Sequence, residues 1–157
     1  MEKDLYGYET TLAMANISGS NMYPEIKGRV IFKKKDEGVL VTAEIIGLPH
    51  SNERCDGRIF AFHIHDGNSC SGNQVDSFAD VGSHYNPNGC NHPYHDGDLP
   101  PLFENNGYAY MSVYTNRFTI GEIIGRTVII HDMPDDFKTQ PSGGSGNKIA
   151  CGKISAV

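Results

Sequence analysis

Two histidines separated by one apolar residue stand in Phe62-His63-Ile64-His65, and four of the other five follow them as His84, His92, His95 and His131. On a strand, the side-chain period of two sends both imidazoles of the pair to one face. Their Cα atoms then lie about 6.6 Å apart, within the reach of a single metal ion. Phe60, Phe62 and Ile64 face the other way, toward a core. A neutral imidazole suits copper, zinc, iron or nickel. Three histidines with one aspartate make a closed tetrahedral zinc site. Three or four histidines in a flatter arrangement suit copper(II). Six histidines and one aspartate serve two such ions only if one imidazole is shared through both of its nitrogens. A lone histidine on a strand is usually structural, but six gathered on strands and one long loop point to metal chemistry.

The rest of the composition narrows the field. At 157 residues, with 18 glycines and 8 prolines, the chain suits one turn-rich all-β domain with a sizeable core. A formal charge of −6 gives no basic balance for phosphate, which excludes nucleic acid as a partner. The basic run Lys33-Lys34-Lys35 is answered at once by Asp36 and Glu37 and reads as a solvated strand end. No apolar run approaches the length of a membrane helix. No signal peptide is visible in the chain as given, so the default expectation is a cytoplasmic protein. The four cysteines, Cys55, Cys70, Cys90 and Cys151, form no C-x-x-C pair, which argues against a thiolate zinc site. One or two disulfides would instead favour an extracytoplasmic compartment.

The histidines must be positioned by strands, and strand patterns run the length of the chain. Residues 1–10 carry little pattern and are expected to be a loosely held entry segment. A first strand is expected over Thr11–Ile17. Lys27–Lys34 sets Val30 and Phe32 against Arg29, Ile31 and Lys33. After the Asp36-Glu37-Gly38 turn, Val39, Val41, Ala43 and Ile45 share one face, giving a hairpin with one buried side. Arg58–His65 carries the histidine pair. His50, in the loop before it, reads as a surface residue. Asp98–Leu102 reads as a short strand that Pro100 and Pro101 confine to an edge or a bulge. Tyr108–Thr115 alternates again, its tyrosine row reading as strand packing. Phe118–Ile124 holds a helical turn, Thr127–His131 is a strand, and Ile149–Ala156 closes the chain. About eight short strands imply a β-sandwich or Greek-key barrel, a single domain over 1–157. Two stretches lack periodicity, Asp66–Asp98 and Asp132–Asn147. A loop of some thirty residues inside one domain is expected only where it is functional and held by other bonds.

Taken together, these residues resemble a family. Phe62-His63-Ile64-His65, Gly82-Ser83-His84-Tyr85-Asn86-Pro87 and His95-Asp96-Gly97-Asp98-Leu99 are similar, in order, to the metal motifs of the copper–zinc superoxide dismutases. Ile123-Ile124-Gly125-Arg126-Thr127-Val128-Ile129-Ile130-His131, Asp135-Asp136 and Gly146-Asn147-Lys148-Ile149-Ala150-Cys151-Gly152 continue the resemblance to the C-terminus. It implies an eight-stranded Greek-key β-barrel with two long functional loops. It implies copper and zinc as cofactors and superoxide as substrate, disproportionated to dioxygen and hydrogen peroxide. His63, His65 and His131 fall at copper positions, His84 at the bridging position, and His92, His95 and Asp98 at zinc positions. Asp135 falls where a carboxylate joins a copper-side to a zinc-side histidine. Cys70 and Cys151 match the family's disulfide. His84 and Lys148 take the catalytic roles, as proton carrier and as substrate-guiding cation.

The chain also departs from the family pattern. Only two residues separate His92 from His95, a compressed zinc loop whose rival reading is a copper-only dismutase. Lys148 stands where an arginine is usual, a flexible point charge in place of a rigid fork of donors. The loop Asp132–Asn147 is short and glycine-rich, and reads as a channel-lining loop with Lys138 as a second steering charge. Cys55 and Cys90 form a candidate second disulfide. The competing class is a non-catalytic copper- or zinc-binding module. The sequence leaves a homodimer open.

Overall fold

The computed structural model describes residues 11–157, so the expected loose segment over 1–10 lies outside the described residues. Eight strands form one antiparallel sheet: β1 (Thr11–Gly19), β2 (Lys27–Lys35), β3 (Gly38–Ile46), β4 (Ile59–His65), β5 (Asp98–Phe103), β6 (Ala109–Thr115), β7 (Thr127–His131) and β8 (Lys148–Ala156). Their lateral order is β5-β4-β7-β8-β1-β2-β3-β6, and β5 approaches β6, so the sheet curls into a nearly closed barrel. A single helical turn, α1 (Ile120–Ile123), lies between β6 and β7, its start closed by a reciprocal capping box between Thr119 and Glu122. Among the described residues no helix is long and apolar enough to cross a membrane.

The alternation read from the sequence is the barrel's inside and outside. Val30 and Phe32 on β2, and Val39, Val41, Ala43 and Ile45 on β3, are buried in one core. Phe60, Phe62 and Ile64 of β4 join it. The other face of β4 is not solvated: Ala61, His63 and His65 are buried as well. A strand covered on both sides reads as continuous burial, and here the second cover is the long loop. Tyr110 and Tyr114 on β6, and Tyr108 just before it, face out, with Tyr108 Oη donating to Glu44. The double proline of β5 sits at the end of the sheet order, beside a register shift between Phe60 and Phe62. Expected and observed strands differ by a residue or two at their ends, where β1 extends to Gly19 and β8 starts at Lys148.

Residues 66–97 hold no strand, only a 3-10 turn at Ala79–Val81. Specific bonds replace secondary structure there. The segment leaving β4 pairs briefly with the loop: Asp66 N donates to the Ser83 carbonyl at 2.8 Å, Gly67 N to that of Val81 at 2.7 Å, and Tyr85 N to that of Ile64 at 2.8 Å. Cys70 is bonded to Cys151, a bridge spanning 81 residues that ties the loop to β8. Under the bridge lies a second small core of Phe78, Val81, Ile129 and Cys151. Asp66 also pairs with Arg126, whose guanidinium stacks 4.0 Å above the Tyr85 ring. Cys55 and Cys90 do not form the second bridge that was a candidate; both are free and exposed. Cys90 is held in its own Asn86 turn, whose side-chain amide bonds both the Cys90 N–H and its carbonyl.

Candidate metal centre

Three elements and two loops converge on one end of the barrel wall. β4 supplies His63 and His65, and β7 supplies His131 across the Phe62–Ile130, His63–Ile129 register. His84 is carried beside His65 by an isolated β-bridge between the two residues. The loop then supplies His92 and His95, and the first residue of β5 is Asp98. All six histidines are at least nine-tenths buried.

Their donor atoms fall into two groups that share one residue. His63, His65, His84 and His131 form one quartet, and His84, His92, His95 and Asp98 the other; within each, a ligand atom from every member lies within 4.8 Å of the rest. In the second quartet His84 Nδ1 is 2.8 Å from Asp98 Oδ1, His92 Nδ1 is 3.0 Å and His95 Nδ1 3.2 Å from Asp98 Oδ2, and the Nδ1 atoms of His95 and His84 are 3.3 Å apart. Donors around a tetrahedral ion with bonds of 2.0–2.1 Å stand about 3.3 Å from one another. The spacing therefore fits one small ion. In the first quartet the Nε2 atoms of His65 and His131 face each other at 3.2 Å.

Hydrogen bonds decide which nitrogen of each ring is available. His63 Nε2 bonds Asp135 Oδ2 at 2.8 Å, which leaves Nδ1 for the quartet. His65 Nδ1 bonds the Gly82 carbonyl at 2.8 Å, which leaves Nε2. His92 Nε2 bonds Asp135 Oδ1 at 2.8 Å, so one carboxylate spans a ring from each quartet. After this accounting, His63 Nδ1, His84 Nε2, His92 Nδ1 and His131 Nδ1 are buried without a hydrogen-bond partner. His92 Nδ1 is close to Asp98 but off the line a hydrogen bond needs. Orphaned buried nitrogens are costly in a folded protein. Three of these four, on His63, His84 and His92, point a lone pair into a quartet, which is what a site built for metal requires. His84 is the joint, with Nδ1 in one quartet and Nε2 toward the other.

Burial sets the protonation states. Desolvation lowers His63 to about 4, overriding the pull of Asp135, and lowers His65 to about 3, with His84 adding to the effect. Burial also holds His131 well below its ordinary value. Burial alone would raise Asp135 and Asp98, but the histidine hydrogen bonds reverse this and hold both below the ordinary carboxylate range. The His63, His65 and His131 rings are thus neutral and the two carboxylates charged at neutral pH, the states metals need. The metal-free protein should be acid-sensitive as a result. Its unfolded histidines take up protons near 6.5, whereas folded His63 and His65 resist until about 4 and 3. Between those values acid favours the unfolded chain, so stability is full above 6.5 and falls as pH drops. The lowered aspartates add a further loss below 3.8. In urea titrations, the metal-free protein at pH 5 is expected to be less stable than at pH 7.5 by about 1 kcal/mol or more. An unchanged midpoint would contradict this electrostatic picture.

Several positioning groups carry no signature in the sequence. The Gln140 side chain clasps the His92 backbone, accepting from its N–H at 2.9 Å and donating to its carbonyl at 2.7 Å. Arg117 Nη1 donates to the Pro93 and His95 carbonyls at 3.2 and 3.3 Å. Together they brace the compressed His92–His95 turn, which reaches its quartet despite its shortness. Gly143, at φ +75, passes so close that a Cβ would overlap Asp135 Oδ1 and His92 Nε2. Only glycine closes the loop over that carboxylate.

A cavity of about 490 Å³ opens on the first quartet, lined by His65, His84, His131, Pro141, Ser142 and Lys148 among others. Lys148 thus stands where a guiding cation was expected, but its Nζ is paired with Asp76 Oδ2 at 2.6 Å. Lys138 is not among the lining residues of this cavity; it is exposed on the outer arm of the loop, where its N–H closes a turn on Asp136.

Comparison with known proteins agrees with this geometry. The sequence profile of the copper/zinc superoxide dismutase (SODC) family matches residues 26–154. The chain is 31% identical over 149 residues to a Superoxide dismutase [Cu-Zn] 2 from Aquifex aeolicus, covering 85% of this chain and 82% of the relative. It is 30% identical over 158 residues to a Superoxide dismutase [Cu-Zn] A from Xenopus laevis, covering 90% and 95%. A solved double mutant of a SOD-like protein from Bacillus subtilis superposes with a TM-score of 0.76 at 27% identity, covering 91% of this chain and 97% of that one.

Proposed function

Because the chain belongs to the copper/zinc superoxide dismutase family, its activity is the disproportionation of superoxide, and we propose that the two joined quartets divide the metals between them. Copper goes to His63, His65, His84 and His131, and zinc to His84, His92, His95 and Asp98. The carrying observation is His84, a single buried ring facing both quartets through opposite nitrogens. The all-histidine set suits copper, and the three-histidine, one-aspartate set suits zinc. Four complete donors in the second quartet favour the two-metal reading over a copper-only enzyme. When bound, copper supplies the reversible one-electron exchange that takes an electron from one superoxide and gives it to the next.

The chain's own residues supply the rest. Lys148 at the cavity wall attracts the anion toward His65, His84 and His131. His84 Nε2, turned to the cavity side, can carry a proton that hydrogen peroxide formation consumes. Asp98 at 2.8 Å from His84 Nδ1 orients the ring from the far side. Asp135 joins His63 to His92 and so keeps the two quartets in register. The test pairs two measurements on purified, metal-loaded protein. One copper and one zinc per chain are expected, with superoxide consumption that a chelator abolishes and copper, not zinc alone, restores. Copper bound without turnover would favour a carrier over an enzyme, and failure to bind copper would remove both.

A further inference from the structure

Among the described residues, Lys148 is the one lysine or arginine lining the cavity over the histidine quartet, and it is not a free charge. Its backbone sits opposite His131 across the bulged end of the β7–β8 pair, and its side chain is among those that line the cavity. Yet its Nζ lies 2.6 Å from Asp76 Oδ2, with the lysine side chain 19% and the aspartate 35% exposed.

Asp76 is held for this contact. Its Oδ1 accepts the Phe78 N–H at 3.0 Å, leaving Oδ2 for the lysine. Its own N–H donates to Asn73 Oδ1 at 3.0 Å, and its carbonyl accepts from Asn73 N at 2.8 Å. The turn is anchored on one side by the Cys70–Cys151 bridge and on the other by Phe78 in the small second core. A carboxylate fixed in this way does not swing to meet the lysine by chance.

We infer that Asp76 is a positioning residue that latches the Lys148 ammonium to the cavity rim and, by pairing with it, damps the guiding field that an approaching anion meets. The inference rests on the copper/zinc dismutase reading and adds to it a restraint on substrate capture. Beyond a few ångströms a close ion pair acts as a dipole, whereas a lone ammonium acts as a full charge. On a chain of formal charge −6, that difference falls on the cation that lines the cavity.

The test uses the metal-loaded enzyme and the variant Asp76→Asn, whose amide oxygen still accepts the Phe78 N–H. At low ionic strength kcat/KM for superoxide is expected to rise roughly two- to fivefold, with a steeper fall on adding salt. Lys148→Ala is expected to lower it below wild type. Asp80→Asn is the control: it removes an equal charge from the same loop, where Asp80 bonds Ser71 rather than the lysine. It is expected to leave the rate near wild type. A second readout does not use turnover. An amine-reactive reagent followed by peptide mass spectrometry is expected to modify Lys148 about threefold faster in Asp76→Asn, relative to exposed Lys153 on the same strand. An Asp76→Asn rate no higher than wild type would overturn the inference. So would an unchanged Lys148 to Lys153 labelling ratio, or an equal gain from Asp80→Asn. Should wild type consume no superoxide, the functional reading fails, and the labelling ratio alone decides whether the latch exists.

Discussion

Replacing His84 by alanine is expected to cost the protein both metals' proper sites at once and to lower kcat/KM for superoxide by at least about 100-fold. Groups that only orient a ligand are worth about 10–100-fold in metal affinity or activity, and His84 is a donor in two quartets. Each quartet left behind has three donors. His63, His65 and His131 would still face one another, and His92, His95 and Asp98 likewise, but the rings would no longer share a rigid link. Metal analysis after dialysis is the direct readout, with retention falling in both positions. His92→Ala is the informative comparison, because it removes a donor from the second quartet alone. It is expected to lower zinc retention while leaving copper largely in place. The barrel should survive both changes, since the core on the far side of β4, including Phe60, Phe62 and Ile64, is untouched. Unchanged retention of both metals in His84→Ala, with activity within tenfold of wild type, would dismantle the shared-ligand reading.

That joint is partly legible in the amino-acid sequence. His63-x-His65 announces itself because a strand's period is two, and the same period sorts Val39, Val41, Ala43 and Ile45 to the inside. The sharing of one imidazole follows from counting donors. The family resemblance assigns positions to every histidine of the two quartets, and the geometry gathers those same residues. What escapes a sequence reading is of another physical kind. Gln140 reaches the His92 backbone over 48 residues through a side chain that is exposed on its own loop. Arg117 holds carbonyls of a loop more than twenty residues away. Such bonds have no period, and any residue's carbonyl would serve as partner. Lys148 is legible as a charge near the cavity but not as half of a pair, because Asp76 lies in a stretch whose path only the disulfide and a few backbone bonds define. Cys55 and Cys90 mislead for the opposite reason: an even cysteine count invites pairing, but their loops do not bring them together as they bring Cys70 to Cys151.

The disulfide is where the second large effect is expected. Cys70→Ala should lower the melting temperature of the metal-free protein by roughly 10 °C or more. The bridge closes a separation of 81 residues, and a loop of that size corresponds to about 4.5 kcal/mol of chain entropy removed from the unfolded state. For a domain of this length each kcal/mol shifts the midpoint by about 2–4 °C. The effect should be near the full entropic value because the folded loop keeps its backbone bonds to β4 and its small core when the bridge is lost, so the gain in freedom falls on the unfolded chain. Cys151→Ala opens the same loop but also truncates a side chain that is 3% exposed and packed against Phe78, Val81 and Ile129. It should therefore be the more damaging of the two, whereas Cys70 is exposed and its loss reports the bridge alone. Metal should leave the free-energy loss in both variants largely unchanged, since ions bind the folded chain while the bridge acts on the unfolded one. The stabilisation that metal adds should consequently be about the same in Cys70→Ala as in wild type. A shift of only a degree or two in the metal-free protein would mean that the bridge does not constrain the unfolded chain as its 81-residue separation requires.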